Sequence, residues 1–574
     1  MKPAPPEQTV DVVVVGSGAG GMTAAITAHD HGLQTLLIEK SPQFGGTSAL
    51  SGGVIWVPAN HLMPKTGIAD SAAEGLAYLQ ALTCGEVPPA KLEAYLRHAP
   101  AMVHYLEQRS CLSFHPADVY ADYYEHLPGY KPGARSLDPK PFSLRKLGRH
   151  AGEIRPPLTS GIFGRLTMTA IEAHNIMQSD TVRNLFILWR LLLHFIDIPS
   201  RLRGKRDNRL VLGQALVGSL RASMLQRKIP LWLNCGLDEL LLENGRVCGV
   251  RATRDGQAVT IRARRGVILA CGGFARNAAL RQQYQQQPIG GDWTSANPYD
   301  MGDGIVAGQG IGAQLAFMHC AWWSPSVILP NGQAEALIIG KSLPGCIFVN
   351  QAGQRFANEA APYEDVVKAQ YRAHAASPSI PCYMIIDGRY RHHYTLANGR
   401  IYPGKMQPDH KIPQEFLDAG FFVKADTLAE LAQKTGIDAA GLQATVERFN
   451  RFAEQGKDED FARGETAQDR YYSDPNTGYP NPTLAPLREA PFYAMKIWPG
   501  DLGTKGGLKT DEYARVLDCN EQPIPGLYAT GNASGSVMGN SYPGAGSTLG
   551  PAMTFGYVAA LDLAGRLKPA PSTG

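Results

Sequence analysis

A glycine pattern close to the start of the chain places the strongest limit on its fold. Residues 12–15 are all valine, which is typical of a strand that is buried on both faces. Gly16, Gly18 and Gly21 follow with the spacing G-x-G-x-x-G. In this pattern the first glycine permits a tight turn, the second lets a pyrophosphate approach the backbone, and the third lets helix and strand pack closely. The stretch therefore predicts a dinucleotide site.

The residues after the glycines complete a strand–helix–strand unit. Residues 22–29 predict a helix whose N-terminal N–H groups face the phosphates, and residues 35–38 predict a second strand. Glu39 ends that strand, at the position where an acid accepts a hydrogen bond from a ribose 2′-OH. We therefore predict the α/β fold class, with a discontinuous Rossmann-like dinucleotide-binding domain and an inserted α+β catalytic or substrate domain.

The far end of the chain indicates which dinucleotide is bound. Residues 526–565 contain a predicted strand, a Gly-rich turn and an amphipathic helix, by which the carboxy-terminal part of many flavoproteins meets the isoalloxazine ring. The chain has no second fingerprint of the nicotinamide type, so these features predict FAD. Residues 44–53, FGGTSALSGG, contain no histidine for covalent attachment, and we predict that FAD is bound non-covalently.

A strand-rich stretch supplies a second approach to the dinucleotide. Residues 230–274 predict strands, with hairpin turns at Asn244-Gly245 and Asp255-Gly256. The last of these strands ends in a pair of glycines at 272–273. The predicted cofactor-binding residues are Gly16, Gly18, Ala19, Gly20, Gly21, Glu39, Lys40, Gly46, Thr47, Ser48, Gly52, Gly53, Gly272, Gly273, Gly531, Asn532, Ser547 and Leu549.

The length of the chain, 574 residues, exceeds what one compact core supports. We predict that residues 1–282 form the first part of the FAD-binding domain and residues 501–574 its second part. Residues 283–500 are predicted to form the catalytic domain, a lid and substrate wall over the flavin. Residues 119–142 are dense in Gly, Pro and aromatics without periodicity, which predicts a loop that lines the site.

Composition excludes several classes of protein. A net charge of +4 is small for this size and predicts no nucleic-acid partner. The nine cysteines are scattered without a C-x-x-C pair, which argues against a disulfide framework, a zinc site and a dithiol flavin reductase. The first residues, MKPAPPEQTV, lack the apolar core of a signal peptide. We expect a cytoplasmic protein that binds no metal.

Residues 182–209 combine an apolar helix with a basic cluster. The apolar part, 185–198, is interrupted by polar residues and is too short to span a bilayer. Basic residues then follow at positions 201, 203, 205, 206 and 209. This combination predicts a helix that lies on a membrane surface, and a helix packed between domains or subunits is the alternative.

Several further stretches carry a resemblance to a known family. The general ones are GSGAGG with Glu39, FGGTSALSGG, GVILACGGF and GLYATGN, which signal FAD and the fumarate reductase-like flavoprotein group. The specific ones are YADYYEHLPG followed by DPKPF, NEAAPYED, GDLGTKGGL and SYPGAGSTLGPAMTFGY. Over nearly its whole length the chain resembles the flavin-dependent 3-ketosteroid Δ1-dehydrogenases.

The resemblance implies a role for each of a small set of residues. Tyr542 and the backbone N–H of Gly546 would hold the C3 carbonyl of a 3-ketosteroid and stabilise its enolate oxygen. Tyr363 would remove the C2 proton, with Tyr123 as its hydrogen-bonding partner. A hydride from C1 would pass to flavin N5 and leave a C1=C2 double bond. The electron acceptor implied is a quinone or an artificial dye.

The chemistry of an apolar ketone explains why tyrosines suit this task. A free tyrosine has a pKa of about 10 and is a poor base at neutral pH. It becomes effective when a second phenol stabilises its anion while the carbonyl is polarised. Among the three tyrosines, the assignment of Tyr123 competes with its neighbours Tyr120 and Tyr124.

Three alternatives stay open at this point. Fumarate- or succinate-type chemistry on the same fold needs Arg and His residues aimed at two carboxylates, whereas these stretches offer tyrosines. A Δ4-(5α)-type steroid dehydrogenase would share FAD and the carbonyl clamp. A non-catalytic flavin-binding or membrane-docking protein would not need the tyrosines. The sequence leaves open the preferred steroid, the acceptance of a sterol side chain and the oligomeric state.

Overall fold

A computed structural model describes residues 7–158, 167–178, 180–197 and 207–567. Its strands are β1 Glu7–Val15, β2 Thr35–Ile38, β3 Ile55–Trp56, β4 Phe114–Pro116, β5 Ser136–Pro139, β6 Phe142–Ser143, β7 Arg209–Leu210, β8 Leu231–Trp232, β9 Cys235–Glu243, β10 Arg246–Arg254, β11 Gln257–Leu269, β12 Leu315–Ala316, β13 Ala321–Ile328, β14 Ala334–Ala336, β15 Cys346–Val349, β16 Cys382–Ile386, β17 Val423–Ala425, β18 Phe492–Thr504, β19 Gly507–Leu508, β20 Arg515–Leu517 and β21 Pro523–Ala529.

The α-helices lie between and after these strands along the chain. They are α1 Ala19–Asp30, α2 Ala72–Thr83, α3 Pro89–Arg109, α4 Ala170–Gln178, α5 Asp180–Ile196, α6 Leu212–Gln226, α7 Ala278–Tyr284, α8 Asp303–Gly310, α9 Tyr363–Ala376, α10 Gly388–His393, α11 Gln414–Asp418, α12 Leu428–Thr435, α13 Ala439–Gln455, α14 Ala467–Tyr471 and α15 Leu549–Leu563. Short 3-10 helices lie at Gly46–Leu50, Met63–Thr66, Leu144–Gly152, Gly340–Ser342, Ala397–Gly399, Asp409–Lys411 and Gly531–Ala533.

The first sheet has β1 near its centre. Its strand order is β20-β21-β11-β1-β2-β8, and β1 pairs in parallel with both β2 and β11. The valines at 12–15 are buried because a central parallel strand is covered on both faces. The carboxy-terminal strand β21 pairs in parallel with β11, so the end of the chain joins the same sheet. The predicted α/β class and the predicted strands at 12–15 and 35–38 are confirmed.

Two hairpins extend this sheet. β9, β10 and β11 pair antiparallel, and the turns between them lie at Asn244-Gly245 and Asp255-Gly256, as predicted. Each of these four residues has a positive φ, as a two-residue hairpin turn requires. β11 therefore contacts β10 through its first half and β21 through its end.

A second, antiparallel sheet is built from later residues. Its order is β14-β13-β18-β16-β15, with β17 also paired to β18. Alternate side chains of its strands contribute to two separate apolar clusters, with Met384 and Ile386 in one and Ile385 in the other. The domain boundaries at 282 and 500 stay a prediction.

Helices α1 and α15, which are far apart in the chain, contact each other closely beside the first sheet. A Cβ added at Gly20 on α1 would lie 2.6 Å from the carbonyl oxygen of Ala552 on α15. A Cβ added at Gly556 would lie 2.5 Å from the carbonyl oxygen of Gly20. Only glycine permits this backbone contact at both positions. The contact holds the carboxy-terminal residues beside the fingerprint.

The apolar helix predicted within 182–209 is α5. Six apolar side chains on it, with the spacing of one helix face, are between 37% and 67% exposed: Leu185, Leu188, Trp189, Leu192, Leu193 and Ile196. On another face Arg190 forms an ion pair with Asp207 at 2.8 Å. The predicted basic residues at 201–206 lie outside the described residues. Within the described part of the chain, no helix combines the length and apolarity needed to cross a bilayer.

Candidate active site

A cavity of about 1670 Å³ opens at the carboxyl ends of the central parallel strands. Val15 and Ile38, the last residues of β1 and β2, line one end of it. Met384 and Met495 of the second sheet line another part. Ligands of open α/β folds bind at this edge of the sheet, so the cavity is the candidate site.

The fingerprint glycines shape one wall of this cavity. Gly16 has a φ of +104°, and a Cβ there would lie 2.4 Å from the carbonyl oxygen of Ala270. A Cβ at Gly21 would lie 2.0 Å from the carbonyl oxygen of Gly16, so this glycine packs helix on strand. At Gly18 a Cβ would meet only Ser48 Oγ at 3.4 Å, which leaves the backbone open on the cavity side. The turn at Gly16 and the close packing at Gly21 agree with the prediction, and the approach of a pyrophosphate at Gly18 stays a prediction.

The amino terminus of α1 fits the pyrophosphate of FAD. Its N-cap, Gly18, makes no side-chain cap, and Gly18, Ala19 and Gly20 all line the cavity. Ser48 Oγ accepts a hydrogen bond of 3.1 Å from the Ala19 N–H and lines the cavity beside it. A helix terminus whose N-cap supplies no side chain, with glycines on either side of Ala19, matches the negative charge and close approach of a diphosphate.

Glu39 is held in place by the fingerprint itself. Its Oε2 accepts hydrogen bonds from the Ser17 N–H at 2.9 Å and from Ser17 Oγ at 2.6 Å. Its Oε1 accepts one from the Ser41 N–H at 2.9 Å. A carboxylate has about four acceptor positions, and these three hydrogen bonds leave one position, on Oε1, for a ribose hydroxyl. Glu39 and Lys40 both line the cavity.

Most of the predicted cofactor residues surround the cavity. Those that line it are Gly16, Gly18, Ala19, Gly20, Glu39, Lys40, Gly46, Thr47, Ser48, Gly52, Gly53, Gly272, Gly531, Asn532 and Leu549. Gly21, Gly273 and Ser547 do not line it. A Cβ at Gly273 would lie 1.9 Å from Thr504 Oγ1, and Ser547 Oγ donates a 2.6 Å hydrogen bond to the Gly544 carbonyl within its own turn.

Three predicted tyrosines meet at the other end of the cavity. Tyr123 donates a hydrogen bond of 3.1 Å to the Tyr363 hydroxyl. The ring of Tyr542 stands at 84° to that of Tyr363, with centroids 5.0 Å apart, and lies 5.6 Å from the ring of Tyr123. All three side chains are buried, and Tyr363 and Tyr542 line the cavity. Tyr363 is the first residue of α9, whereas Tyr123 lies in the predicted loop.

Burial sets the electrostatics of this cluster. It raises the pKa of Tyr363 well above the usual value, and the neighbouring Tyr542 raises it further. The hydrogen bond from Tyr123 acts in the opposite direction and lowers the pKa of Tyr363. Burial likewise raises the pKa of Tyr123 and of Tyr542. An apolar surrounding that disfavours charge suits an uncharged substrate.

The turn after Tyr542 presents a free backbone donor. Gly546 has a φ of +99°, and a Cβ there would lie 2.5 Å from the carbonyl carbon of Ile55. Its carbonyl accepts hydrogen bonds from the Trp56 and Gly550 N–H groups. Among the described residues, its own N–H has no hydrogen-bond acceptor, and the residue lines the cavity. A donor so placed can bind an oxygen of a ligand.

Other residues contact this cluster although the sequence assigned them no role. The Tyr120 hydroxyl lies 3.5 Å from the Tyr123 hydroxyl and 3.1 Å from the Tyr472 hydroxyl. Four phenols therefore form a chain that runs from Tyr363 to Tyr472, which also lines the cavity. Trp322 packs edge-on against Tyr542 with centroids 5.0 Å apart. Dense aromatic composition was the available signal, but it does not show which rings meet.

Asp300 is another residue that the sequence analysis did not select. It lines the cavity, and a Cβ added at Gly272 would lie 2.3 Å from its Oδ1. Burial raises the pKa of Asp300 to about 7, and the nearby Asp501 adds to that effect. The signal available for it was the stretch NPYDMGDGI at 297–305, which is rich in acids and glycines.

Comparison with known proteins decides the family. The family model described as "FAD binding domain" matches residues 11–549. The 3-oxosteroid 1-dehydrogenase of Mycolicibacterium smegmatis is 43% identical, with 97% of each chain covered. The chain belongs to the 3-oxosteroid 1-dehydrogenase family.

Other members and a solved structure agree with this. The 3-oxosteroid 1-dehydrogenase of Comamonas testosteroni is 37% identical, with 98% of each chain covered. The structure of the 3-ketosteroid Δ1-dehydrogenase from Sterolibacterium denitrificans, in complex with 1,4-androstadiene-3,17-dione, is 45% identical with a TM-score of 0.94. The match spans 97% of this chain and 100% of the solved chain. As a member of this dehydrogenase family, the chain is an oxidoreductase and its cofactor is FAD.

Proposed function

We propose that the protein introduces a C1=C2 double bond into 3-ketosteroids, with Tyr363 as base and Tyr542 with Gly546 as the carbonyl clamp. The observation that carries the site assignment is the hydrogen bond from Tyr123 to Tyr363, 3.1 Å long, in a buried cluster with Tyr542. Dicarboxylate chemistry would need cationic side chains around the substrate, and this cluster is built from phenols. The names of the relatives from M. smegmatis and C. testosteroni support the steroid as substrate.

The carbonyl clamp acts on the oxygen that gains charge. When C2 loses its proton, the ketone becomes an enolate and negative charge develops on the C3 oxygen. The Tyr542 O–H and the Gly546 N–H would donate to that oxygen, and the N–H needs no rearrangement because it has no acceptor among the described residues. Removing one such donor typically costs about 10²–10³-fold in rate.

The base depends on its partner. Tyr363 must lose its proton before it accepts one from C2, and burial opposes that loss by raising its pKa. The hydrogen bond donated by Tyr123 stabilises the Tyr363 anion. The accepted proton would leave through Tyr123, Tyr120 and Tyr472, whose hydroxyls are 3.5 and 3.1 Å apart and end at the cavity wall.

FAD, when bound, would supply the acceptor for the hydride from C1. The chain would hold its diphosphate at the amino terminus of α1 and its adenosine ribose at Glu39. Gly531 and Asn532, which line the cavity after β21, would lie toward the flavin end. The tyrosines bind and deprotonate the ring beside it and keep water away.

The proposal is tested by anaerobic titration of the yellow protein with 4-androstene-3,17-dione, with the product's mass measured and the position of its new double bond determined by NMR. Bleaching of the flavin and a product two hydrogens lighter, carrying the new double bond at C1=C2, are expected. A double bond at another position, or no bleaching, would contradict the assignment. Fumarate or succinate in place of the steroid serves as the control and should leave the spectrum unchanged.

We also propose that the reduced enzyme passes its electrons to a quinone. Support comes from the resemblance to the flavin-dependent 3-ketosteroid Δ1-dehydrogenases, which implies a quinone or an artificial dye as the electron acceptor. Rapid mixing of steroid-reduced protein with a soluble quinone should restore the yellow colour within the turnover time. Re-oxidation by NAD⁺ at an equal rate would contradict this proposal.

The protein is proposed to associate peripherally with anionic membranes through residues 182–209. Exposed apolar side chains on one face of α5, with Arg201, Arg203, Lys205 and Arg206 following in the sequence, are what such association requires. Sedimentation with anionic vesicles should fall when Leu188 and Leu192 are both changed to Ser. Leu242→Ser, at an exposed apolar residue on β9, is the matched control. Equal sedimentation of all three proteins would return α5 to the packing-helix alternative.

A further inference from the structure

A buried ion pair lies directly behind the tyrosine cluster. Lys505 Nζ is 2.8 Å from Glu364 Oε2, and both side chains are fully buried. Lys505 belongs to the stretch GDLGTKGGL and Glu364 to NEAAPYED. Neither residue has a task in the chemistry proposed above, although both stretches mark the family resemblance.

The pair connects the two segments that carry the catalytic tyrosines. Glu364 directly follows Tyr363 at the start of α9. Lys505 Nζ also donates a hydrogen bond of 2.9 Å to the carbonyl of Ser541, the residue before Tyr542. One ammonium group therefore links the residue after the base to the residue before the carbonyl clamp.

A second lysine makes the same connection one residue earlier. Lys368 Nζ lies 2.7 Å from Glu364 Oε1 and donates a hydrogen bond of 2.8 Å to the carbonyl of Asn540. Two consecutive carbonyls ahead of Tyr542 are thus held to the first turns of α9. The carboxylate of Glu364 is the common partner, with one oxygen for each lysine.

The ammonium group of Lys505 also supports the ring that packs against Tyr542. It lies 4.4 Å from the centroid of the Trp322 ring and 5.9 Å from that of Tyr542. Trp322 is fixed on its other side, because its Nε1 donates a hydrogen bond of 3.0 Å to Asn532 Oδ1. Backbone and ring contacts therefore restrain Tyr542 from two directions.

Stability alone is a weak reason for such a pair. Moving an ammonium and a carboxylate out of water is unfavourable, and well-packed apolar residues of equal volume often stabilise a fold as much. Geometry is a stronger reason, since the clamp must hold the C3 oxygen while the base reaches the hydrogen on C2. A misplacement of about 1 Å between such groups can cost about 10²-fold in rate.

We propose that Lys505, paired with Glu364, is a positioning residue that sets the separation of Tyr542 and Tyr363 around a 3-keto ring. This inference rests on the proposed roles of those two tyrosines. Lys505 touches neither substrate nor cofactor in this account. It acts through the Ser541 carbonyl and through Trp322.

The test compares Lys505→Met with Lys91→Met in the FAD-loaded enzyme. Lys91 is also buried and donates to the Thr510 and Gly535 carbonyls, but it contacts no residue of the tyrosine cluster. Lys505→Met should lower kcat and the rate of C2 deuterium exchange together, each by about 10–100-fold. KM should change by less than about 3-fold and FAD content should stay the same, because the apolar contacts of the steroid rings are retained. Lys91→Met should keep the wild-type kcat.

A double-variant cycle covers the case in which Lys505→Met fails to fold. The combination of Lys505→Met with Glu364→Gln removes both charges of the fully buried pair, and the lysine that loses its carboxylate partner, Lys368, is partly exposed. If the pair acts as one unit, the double variant should show the same loss in kcat as Glu364→Gln, not the product of two losses. A wild-type kcat in the double variant, or losses that multiply, would overturn the proposal.

Tyr363→Phe and Tyr542→Phe, assayed alongside, distinguish failure of the positioning role from failure of the proposed roles of the two tyrosines. If both lose turnover while the Lys505 and Glu364 variants keep it, only the positioning role is wrong. If either tyrosine variant keeps wild-type turnover, the proposed function of that tyrosine fails and the positioning role fails with it.

Discussion

Tyr123 donates a hydrogen bond of 3.1 Å to Tyr363, although the two residues lie 240 positions apart. The loop that carries Tyr123 is also fixed to the turn after Tyr542, because the Tyr123 N–H donates to the Pro543 carbonyl at 2.9 Å. The proposed base, its proposed partner and the proposed clamp are therefore held to one another by direct contacts. This arrangement makes the pH dependence of the reaction a test of the cluster.

Tyr123→Phe should move the pH profile of kcat/KM to higher pH. The hydrogen bond from Tyr123 lowers the pKa of Tyr363, against the larger opposing effect of burial. Its loss raises that pKa, so a smaller fraction of Tyr363 is deprotonated at any given pH and the alkaline rise of the rate begins later. Steady-state kinetics across the alkaline range measure the shift, with Tyr130→Phe as control. An unchanged profile would mean that Tyr123 does not support the base.

Tyr363→Phe should abolish exchange of the C2 proton. A phenyl ring has the same shape but accepts no proton, so turnover should fall by about 10²–10⁴-fold. Deuterium incorporation at C2, followed by mass in deuterated buffer, measures this step directly. Exchange that persists at the wild-type rate would assign the base to another residue.

Tyr542→Phe should slow reduction of the flavin by steroid by about 10²–10³-fold, because one donor to the enolate oxygen is lost. FAD content should not change, since the hydroxyl does not belong to the predicted cofactor residues. Rapid mixing under anaerobic conditions gives the rate. Tyr557→Phe, on α15 away from the cavity, is the matched control, and equal rates for the two variants would contradict the clamp.

Two glycines of the fingerprint, Gly18 and Gly21, should respond differently to alanine. Gly18 has a φ of −67°, and a Cβ there meets only Ser48 Oγ at 3.4 Å, so Gly18→Ala should leave the apoprotein stable. The added methyl would stand where the diphosphate approaches, which should weaken FAD binding by about 10–100-fold. Gly21→Ala should instead destabilise the fold by about 3 kcal/mol, because its Cβ would lie 2.0 Å from the Gly16 carbonyl oxygen.

Calorimetric FAD titration and urea unfolding of the apoprotein separate these two effects. Gly18→Ala should change the first measurement and Gly21→Ala the second. If Gly18→Ala bound FAD with wild-type affinity, the diphosphate would not pass this residue.

Glu359→Gln should remove part of the acid sensitivity of the fold. Burial alone would raise the pKa of Glu359, but Arg355 and Arg463 outweigh burial and lower it from 4.5 to about 2. A carboxyl with a depressed pKa stabilises the fold above its unfolded-state pKa, and this contribution is lost as the pH falls from about 4.5 towards about 2. At neutral pH the variant should be less stable by about 3–5 kcal/mol, because two buried arginines lose a partner.

Urea unfolding at about pH 7 and about pH 3 measures this difference. The wild-type advantage in the free energy of unfolding should shrink on acidification, because Glu359 becomes protonated on unfolding while Gln does not titrate. A difference that is equal at both pH values would show that another group holds the arginines. Glu447→Gln, at an exposed position on α13, is the control.

Local patterns predicted much of the nucleotide-binding sheet. The strand at Thr35–Ile38 agrees with the prediction residue for residue, and the hairpin turns lie at the two predicted dipeptides. Backbone sterics at glycines and the burial of β-branched residues act over a few positions, so a short stretch contains the information. The observed strand β1 begins at Glu7, earlier than predicted, because pairing with β11 extends it beyond the valines.

Contacts between segments that are distant in the chain could not be predicted from local patterns. Tyr120, Tyr123 and Tyr124 looked equivalent in the sequence, yet they have different partners: Tyr123 bonds Tyr363, whereas Tyr124 bonds Asp365 at 3.2 Å. Lys505 and Glu364 appeared only as parts of motifs. Their ion pair depends on how α9 packs beside β18, which no local pattern describes.

By itself the sequence predicted a dinucleotide site at a glycine turn and the residue types that are proposed to surround a ketone. Those conclusions follow from short-range rules of backbone geometry and side-chain chemistry. Only the tertiary structure decided that Tyr123 meets Tyr363, that the Gly546 N–H stays unbonded among the described residues, and that one face of α5 is exposed. The physical reason is that each of these depends on contacts between segments far apart in the chain, and packing of the whole chain sets such contacts.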